Sequence, residues 1–365
     1  MPNTFSGSGS LSGVGSFTAD IPPINIVMWN SSATTNSPIT AYTFTDGTGF
    51  GSPLASSPTF TDFAVDAYND ISPSNLAVSY AQAYVTNPGA QFYSYRYSTS
   101  GVGTAYTTIR PLTTGNPSYG TGLTSSDFNS AGNRIAISGS GTNSVSNPRR
   151  VFMYAWSDAD GVGTSISIAN TSDSSDNISF SKNDEYLQYI ANAGYLERSS
   201  NHVYPWSNST GQGTRFSSPA SGPRGSGRNA GFNSLSNVYW VYGSFDSNLG
   251  FYSLSPSGIG SQIGSNMTGT YGVRFNSTDT AIICTGTSGM RAFAWSNSTG
   301  VGTQFTAPAS SFSFANNNYL ASISPSDKSV AVGGNVIAWQ NGVGWGTVYT
   351  SPTYPSTVRY SRFTS

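Results

Sequence analysis

The chain has 365 residues, only 8% of them charged and 13% aromatic, with a formal net charge of −1. A typical domain is about a quarter charged, so no global field draws this one to nucleic acid or to a membrane surface. Its aromatic content excludes a disordered polymer, and its single cysteine excludes an internal disulfide framework.

Residues 1–14 are rich in Gly and Ser and are expected to form a flexible lead-in. They lack the basic and apolar regions of a secretory signal, and no apolar run is long enough to span a membrane. From residue 15 onward one phrase organises the chain: an aromatic or large apolar residue, a polar run, then Gly-x-Gly. The first unit has a weak strand candidate around Phe17, a strand at Ile24–Trp29, and the phrase from Phe44 to Gly49-x-Gly51. The second carries Tyr97 and Gly101-x-Gly103. In the third, Phe128-Asn129-Ser130-Ala131-Gly132-Asn133-Arg134-Ile135 precedes Trp156 and Gly161-x-Gly163. The fourth runs from Phe180 through Leu187 to Trp206 and Gly211-x-Gly213. Phe232, Leu254 and Gly258-x-Gly260 mark the fifth, and Phe275, Trp295 and Gly300-x-Gly302 the sixth. Ile323, Trp339 and Gly344-Trp345-Gly346 mark the seventh.

The second glycines, at 51, 103, 163, 213, 260, 302 and 346, stand 42 to 60 residues apart. Between them the chain alternates with period two, as in Ala281-Ile282-Ile283-Cys284-Thr285-Gly286, which predicts strands rather than helices. Four short strands in such a period make one propeller blade. Strand a is predicted to end at the Phe, b to follow the polar turn, c to end at the Trp, and d to follow Gly-x-Gly. Val358-Arg359-Tyr360-Ser361-Arg362 matches Val273-Arg274-Phe275-Asn276-Ser277 as another strand a with no strand b after it. It is predicted to complete the first blade and close the ring, removing the open edge. The expected fold class is therefore all-β: a seven-bladed propeller of four-stranded antiparallel blades, one domain over 15–365.

The pattern resembles the WD40-like propellers, although no Trp-Asp dipeptide ends strand c and no Gly-His precedes a blade. The form Trp-Ser-x-Ser-x-Gly-x-Gly-Thr, carried by Trp156, Trp206, Trp295 and Trp339, is similar to the repeat propellers of bacteriophage virion proteins. That resemblance implies location in the virion and a non-enzymatic structural role, as capsid decoration or tail-associated propeller contacting other virion proteins. The alternative is a carbohydrate- or receptor-binding adhesin on the particle, with a host-surface glycan as partner. No cofactor, metal, nucleic acid or membrane insertion is expected.

Residue types argue the same way about chemistry. Nucleophile triads and zinc sites need histidine or clustered thiols, and the chain has only His202 and Cys284. Its only glutamates are Glu185 and Glu197; most aspartates fall in Ser/Asn-rich turns, where they are expected to cap the backbone. Asp158-Ala159-Asp160-Gly161 has a calcium-loop look, but other units carry Asn, Ser or Thr there, so a hairpin turn is the expectation. The Gly-x-Gly pairs precede strands, not helices, and do not form nucleotide loops. Each phrase Trp is expected to wedge between blades. Partner contacts are sought where the repeat is interrupted: Arg149 and Arg150 in the long third unit, Arg224 and Arg228 in the Gly/Ser/Pro segment of 217–228, and the out-of-register Trp240 and Trp345.

Overall fold

The computed structural model describes residues 24–30, 39–58, 69–81, 91–108, 122–140, 151–168, 175–191, 201–219, 223, 229–243, 246–287, 289–306, 320–353 and 358–364. They form the seven blades that the repeat predicts. Blade 3 shows the pattern: a is Gly122–Phe128, b Arg134–Ser140, c Val151–Ser157 and d Gly161–Ile166, in antiparallel order. In blade 4 these strands are Ser175–Phe180, Tyr186–Ala191, Asn201–Ser207 and Gly211–Gln212; in blade 6, Thr270–Phe275, Ala281–Gly286, Gly289–Ser296 and Gly300–Gln304. Blades 5 and 7 follow the same order, blade 5 adding the short Met267–Thr268 against its strand c. Blade 2 has three strands among the described residues, with a single bridge from Ile71 to Val78 in place of strand a.

Ring closure follows the prediction. Val358–Phe363 pairs antiparallel with Ile24–Asn30, so the C-terminal segment is strand a of blade 1. Phe17 and the lead-in of residues 1–14 lie outside the described residues. Closure is reinforced by the Asn25 backbone N–H, which donates to Thr364 Oγ1 at 2.9 Å.

The phrase Trp side chains wedge between blades as expected. Trp156 packs edge-on against Tyr106 of blade 2 (5.2 Å between centroids) and Phe128 of its own blade (4.9 Å). Trp295 meets Phe251 of blade 5 at 4.5 Å, and Trp339 meets Phe305 of blade 6 at 5.3 Å. Burying such rings contributes to inter-blade cohesion. At Gly161, φ is +84°, and an added Cβ would stand 2.8 Å from the Tyr106 ring, so glycine both makes the turn and lets blade 3 close on blade 2.

The same phrase carries a polar latch. Trp156, Trp206 and Trp295 each donate Nε1–H to the residue two positions on: Asp158 (2.9 Å), Asn208 (3.2 Å) and Asn297 (2.6 Å). Those side chains then meet the a–b turn of the preceding blade. Ser74 Oγ donates to Asp158 Oδ2 at 2.6 Å, Asn129 Nδ2 to Asn208 Oδ1 at 2.9 Å, and Asn297 Nδ2 to Asn237 Oδ1 at 3.3 Å. Asp158 is thus a hairpin and latch residue, as its turn sequence suggests.

A second set of clamps links consecutive a–b turns. Asp184, Asp279 and Asp327 hold the left-handed position of their turns, with φ of 57°, 53° and 56°. Asp184 accepts the N–H groups of Ser130 (2.7 Å) and Ala131 (2.9 Å) in blade 3, and Asp279 accepts those of Ser234 and Leu235 in blade 5 (2.9 Å each). Turn aspartates therefore do cap backbone, but on the neighbouring blade.

Candidate functional site

The channel wall is made by strand a of six blades and, in blade 2, by the segment that ends at Ile71. The Phe or Ile that ends each strand a turns between the blades, and Phe128, Phe180, Phe275 and Phe363 are buried there. Side chains alternate across a strand, so the residue before each of these faces the channel, as does the one two positions earlier. Read around the ring from blade 1, the nearer position holds Arg362, Asp70, Asp127, Ser179, Gly231, Arg274 and Ser322. Four of these seven are charged, in a chain that is 8% charged. The deeper position adds Asn177, Leu320 and Tyr360.

All of these but Ser322 line a cavity of about 370 Å³, whose rim carries Pro73, Asn75, Ser130 and Lys182 from the a–b turns. It is large enough for a small organic molecule. Five of these side chains also reach the next blade. Phe128 N–H donates to Asp70 Oδ2 at 3.1 Å, Phe180 N–H to Asp127 Oδ2 at 2.7 Å, and Phe363 N–H to Ser322 Oγ at 3.2 Å. Arg274 Nε donates to the Ala321 carbonyl at 3.2 Å, and Arg362 Nη1 to Asp70 Oδ1 at 2.5 Å. The wall is thereby rigid and its charges are pre-oriented.

The charges are unequally matched. Burial would raise Asp70, but the Arg362 guanidinium, Asp127 and the Phe128 and Ile71 N–H groups hold its carboxyl below the ordinary range. Asp127 goes the other way. Burial first, then the Asp70 charge and their mutual hydrogen bond, push it well above an ordinary carboxylate. Burial works against the charge of Arg362, yet Asp70 and Tyr360 hold it firmly protonated. Lys182 is solvent-exposed at the rim, but crowding by protein atoms and the nearby Arg362 lower its ammonium below the usual value. Arg274 meets the neutral Ala321 carbonyl and, at 3.5 Å, the Tyr360 hydroxyl. Asp70 thus balances Arg362, Asp127 is pushed toward its protonated form, and Arg274 meets only neutral oxygens.

The residues singled out by sequence lie elsewhere. Trp240 is buried in strand b of blade 5 (Val238–Gly243), 1% exposed, with Gly231 making room beside its ring. It is therefore core and offers no surface contact, because its strand is covered on both faces. Trp345, in strand d of blade 7, is partly buried and stacks edge-on against Trp339 at 5.0 Å. Arg149, Arg150, Arg224 and Arg228 lie outside the described residues, as does Glu197. His202 is buried beside Tyr189 and Tyr204, and Arg215 Nη1 donates to its Nε2 at 2.9 Å. Burial pushes the Cys284 thiol up to about 12, leaving it inert. Asp70, Asp127, Arg274 and Arg362 escaped the sequence reading because it followed what the units share. The position before each strand-a aromatic was the available signal: there Asp, Ser, Gly and Arg replace one another from unit to unit.

No family model and no curated protein matches this sequence. Solved structures do match the fold. A Bacteroides fragilis protein provisionally named a 6-phosphogluconolactonase aligns with TM-score 0.70 and 11% identity, over 94% of this chain and 98% of that one. The periplasmic gluconolactonase of Pseudomonas aeruginosa gives TM-score 0.67 and 13% identity, over 94% and 99%. A Lactobacillus plantarum protein gives TM-score 0.67 and 12% identity, over 94% and 99%. Such likeness establishes the seven-bladed propeller.

These comparisons overturn the virion reading, for role and location alike, and with it the virion adhesin. Similar structures named for a function, from Bacteroides fragilis, Bacteroides uniformis and Pseudomonas aeruginosa, are lactonases and not virion proteins. The physical reason is that the Trp-Ser-x-Ser-x-Gly-x-Gly phrase reports hairpins and blade wedges, which a propeller of any function uses. The non-enzymatic expectation counted His, Cys and Glu. It did not weigh aspartates gathered on a channel wall.

Proposed function

We propose that the channel cavity binds a small hydroxylated lactone and hydrolyses it by general acid–base catalysis. The observation that carries this reading is Asp127, a carboxyl held toward neutral pH by burial and by Asp70, in one cavity with Arg274 and Arg362. A group whose pKa is moved toward the working pH is suited to proton transfer. The lactonase names of similarly folded proteins support the choice of substrate class.

In this reading ionised Asp127 accepts a proton from water as the water oxygen bonds to the lactone carbonyl carbon. The carbonyl oxygen becomes negative beside the Arg274 guanidinium, which favours it electrostatically. Collapse breaks the ring C–O bond, and Asp127 returns its proton to the leaving alkoxide. One lactone and one water give one hydroxy acid. Asp70 acts through Asp127 and Arg362, raising the first and orienting the second.

The test is base uptake in a pH-stat with glucono-δ-lactone. The wild-type protein is expected to exceed the buffer rate, and Asp127→Asn to lose about 10²- to 10⁴-fold of that enhancement. Wild-type rates equal to buffer, or an unaffected Asp127→Asn variant, overturn the reading.

A further inference from the structure

We propose that Lys182 is a carbonyl-capturing amine: the channel mouth takes a small 2-oxo acid and joins its carbonyl carbon to Lys182 Nζ as an imine. This inference rests on the cavity being a ligand site, though not on lactone hydrolysis.

Only two of the fifteen cationic residues are lysines, Lys182 and Lys328. Lys182 stands in the a–b turn of blade 4, two residues after Phe180, and lines the cavity with Asp127, Arg274 and Arg362. Its side chain is exposed, and among the described residues no hydrogen bond or ion pair engages it. The nitrogen is therefore accessible. Asp70 and Asp127 face it together with Arg362 and Arg274. Asp70 is committed to Arg362 at 2.5 Å, and Asp127 is pushed toward its protonated form. Among these charges Arg362 acts most strongly on Lys182, ahead of the opposing Asp70 and Asp127.

Crowding and the Arg362 charge lower the Lys182 ammonium, which raises the share of free amine at neutral pH. The free amine is the form that attacks a carbonyl. Arg274 supplies the second requirement, a guanidinium in the same cavity whose hydrogen bonds go to the neutral oxygens of Ala321 and Tyr360. A carboxylate would meet that fork as a charge-assisted partner. A molecule carrying carboxylate and carbonyl on adjacent carbons satisfies both groups.

The step balances without oxidant or reductant. The amine lone pair forms the C–N bond while the carbonyl π pair moves to oxygen, and the nitrogen's proton passes to that oxygen. Asp127 then donates its proton to the hydroxyl, which leaves as water. The second nitrogen proton returns to Asp127 as the C=N bond forms. Addition of water reverses the sequence.

The experiment incubates the full chain with glyoxylate and cyanoborohydride at neutral pH, then maps the modified peptides. Lys182 is expected to gain a carboxymethyl group several-fold faster than exposed Lys328. Acetaldehyde, which lacks the carboxylate, is expected to label Lys182 more slowly than glyoxylate does. Arg274→Met is expected to abolish that difference. Equal labelling of the two lysines, or acetaldehyde matching glyoxylate on the wild-type protein, overturns the proposal, and neither comparison depends on a variant folding. Lactone turnover accompanied by equal labelling removes this proposal alone. Selective labelling without lactone turnover removes the hydrolytic reading alone.

Discussion

The c–d hairpins and the channel wall sit on the same sevenfold repeat and use it in opposite ways. At the hairpins the repeat keeps its residues: Trp156, Trp206 and Trp295 recur with Asp158, Asn208 and Asn297 two positions on, making the same bond each time. At the wall the repeat keeps only its geometry. Arg362, Asp70, Asp127 and Arg274 are placed alike on the channel wall, yet the blades differ in what they present there. Constancy marks what every blade must do to pack, while variation at a fixed position marks what the ring as a whole presents to a ligand.

The largest effect should come from breaking the constant side of this comparison. Trp295→Ala removes a ring packed against Phe251 and Phe275 between blades 5 and 6, and is expected to cost about 4 kcal/mol in denaturant unfolding. Asp70→Ala attacks the variable side. It leaves the Arg362 guanidinium, 22% exposed, without its carboxylate, and should cost about 3 kcal/mol. A cost below that of a surface substitution would show that the wall ion pair is not built into the fold. Asp184→Ala deletes the acceptor of the Ser130 and Ala131 N–H groups, with an expected loss of about 2 kcal/mol. Asp184→Asn keeps the left-handed turn and should recover part of it.

The smallest effect is a slope with pH. Asp127 has a raised folded pKa, so its protonated form is favoured in the folded state. Its contribution is complete below the ordinary Asp pKa of about 3.9 and is lost as pH rises through the folded value. Asp70 is lowered and contributes with the opposite sign, being lost as pH falls through its folded value. The melting temperature of the wild-type protein relative to Asp127→Asn should therefore fall as pH rises above about 4. A flat difference would show that Asp127 ionises normally.

The architecture was largely readable from the chain. Gly-x-Gly spacing, the Phe-turn-apolar element and the orphan strand at Val358–Arg362 predict seven blades and closure by the C-terminal strand, and the sheets pair that way. Trp wedges and the hairpin role of Asp158 were equally legible, since both are local consequences of an alternating strand and a tight turn. The site was not. Asp70, Asp127, Arg274 and Arg362 are separated by up to 292 residues, as in the Arg362–Asp70 pair, and they converge only because seven blades share one axis. Local pattern also misplaced Trp240. It breaks the phrase, which suggested a contact residue, but strand b of a propeller is covered on both faces, so an off-phrase aromatic there is core. The virion assignment failed because it drew function from the constant residues, which serve packing.

Crystals of the protein grown with gluconate, the hydroxy acid that glucono-δ-lactone yields, would decide between wall and hairpins most directly. The molecule is expected in the channel, its carboxylate on Arg274 and its hydroxyl-bearing chain alongside Asp127. Gluconate seated at the Trp hairpins, with the channel holding only solvent, would contradict the assignment of ligand binding to the variable face of strand a.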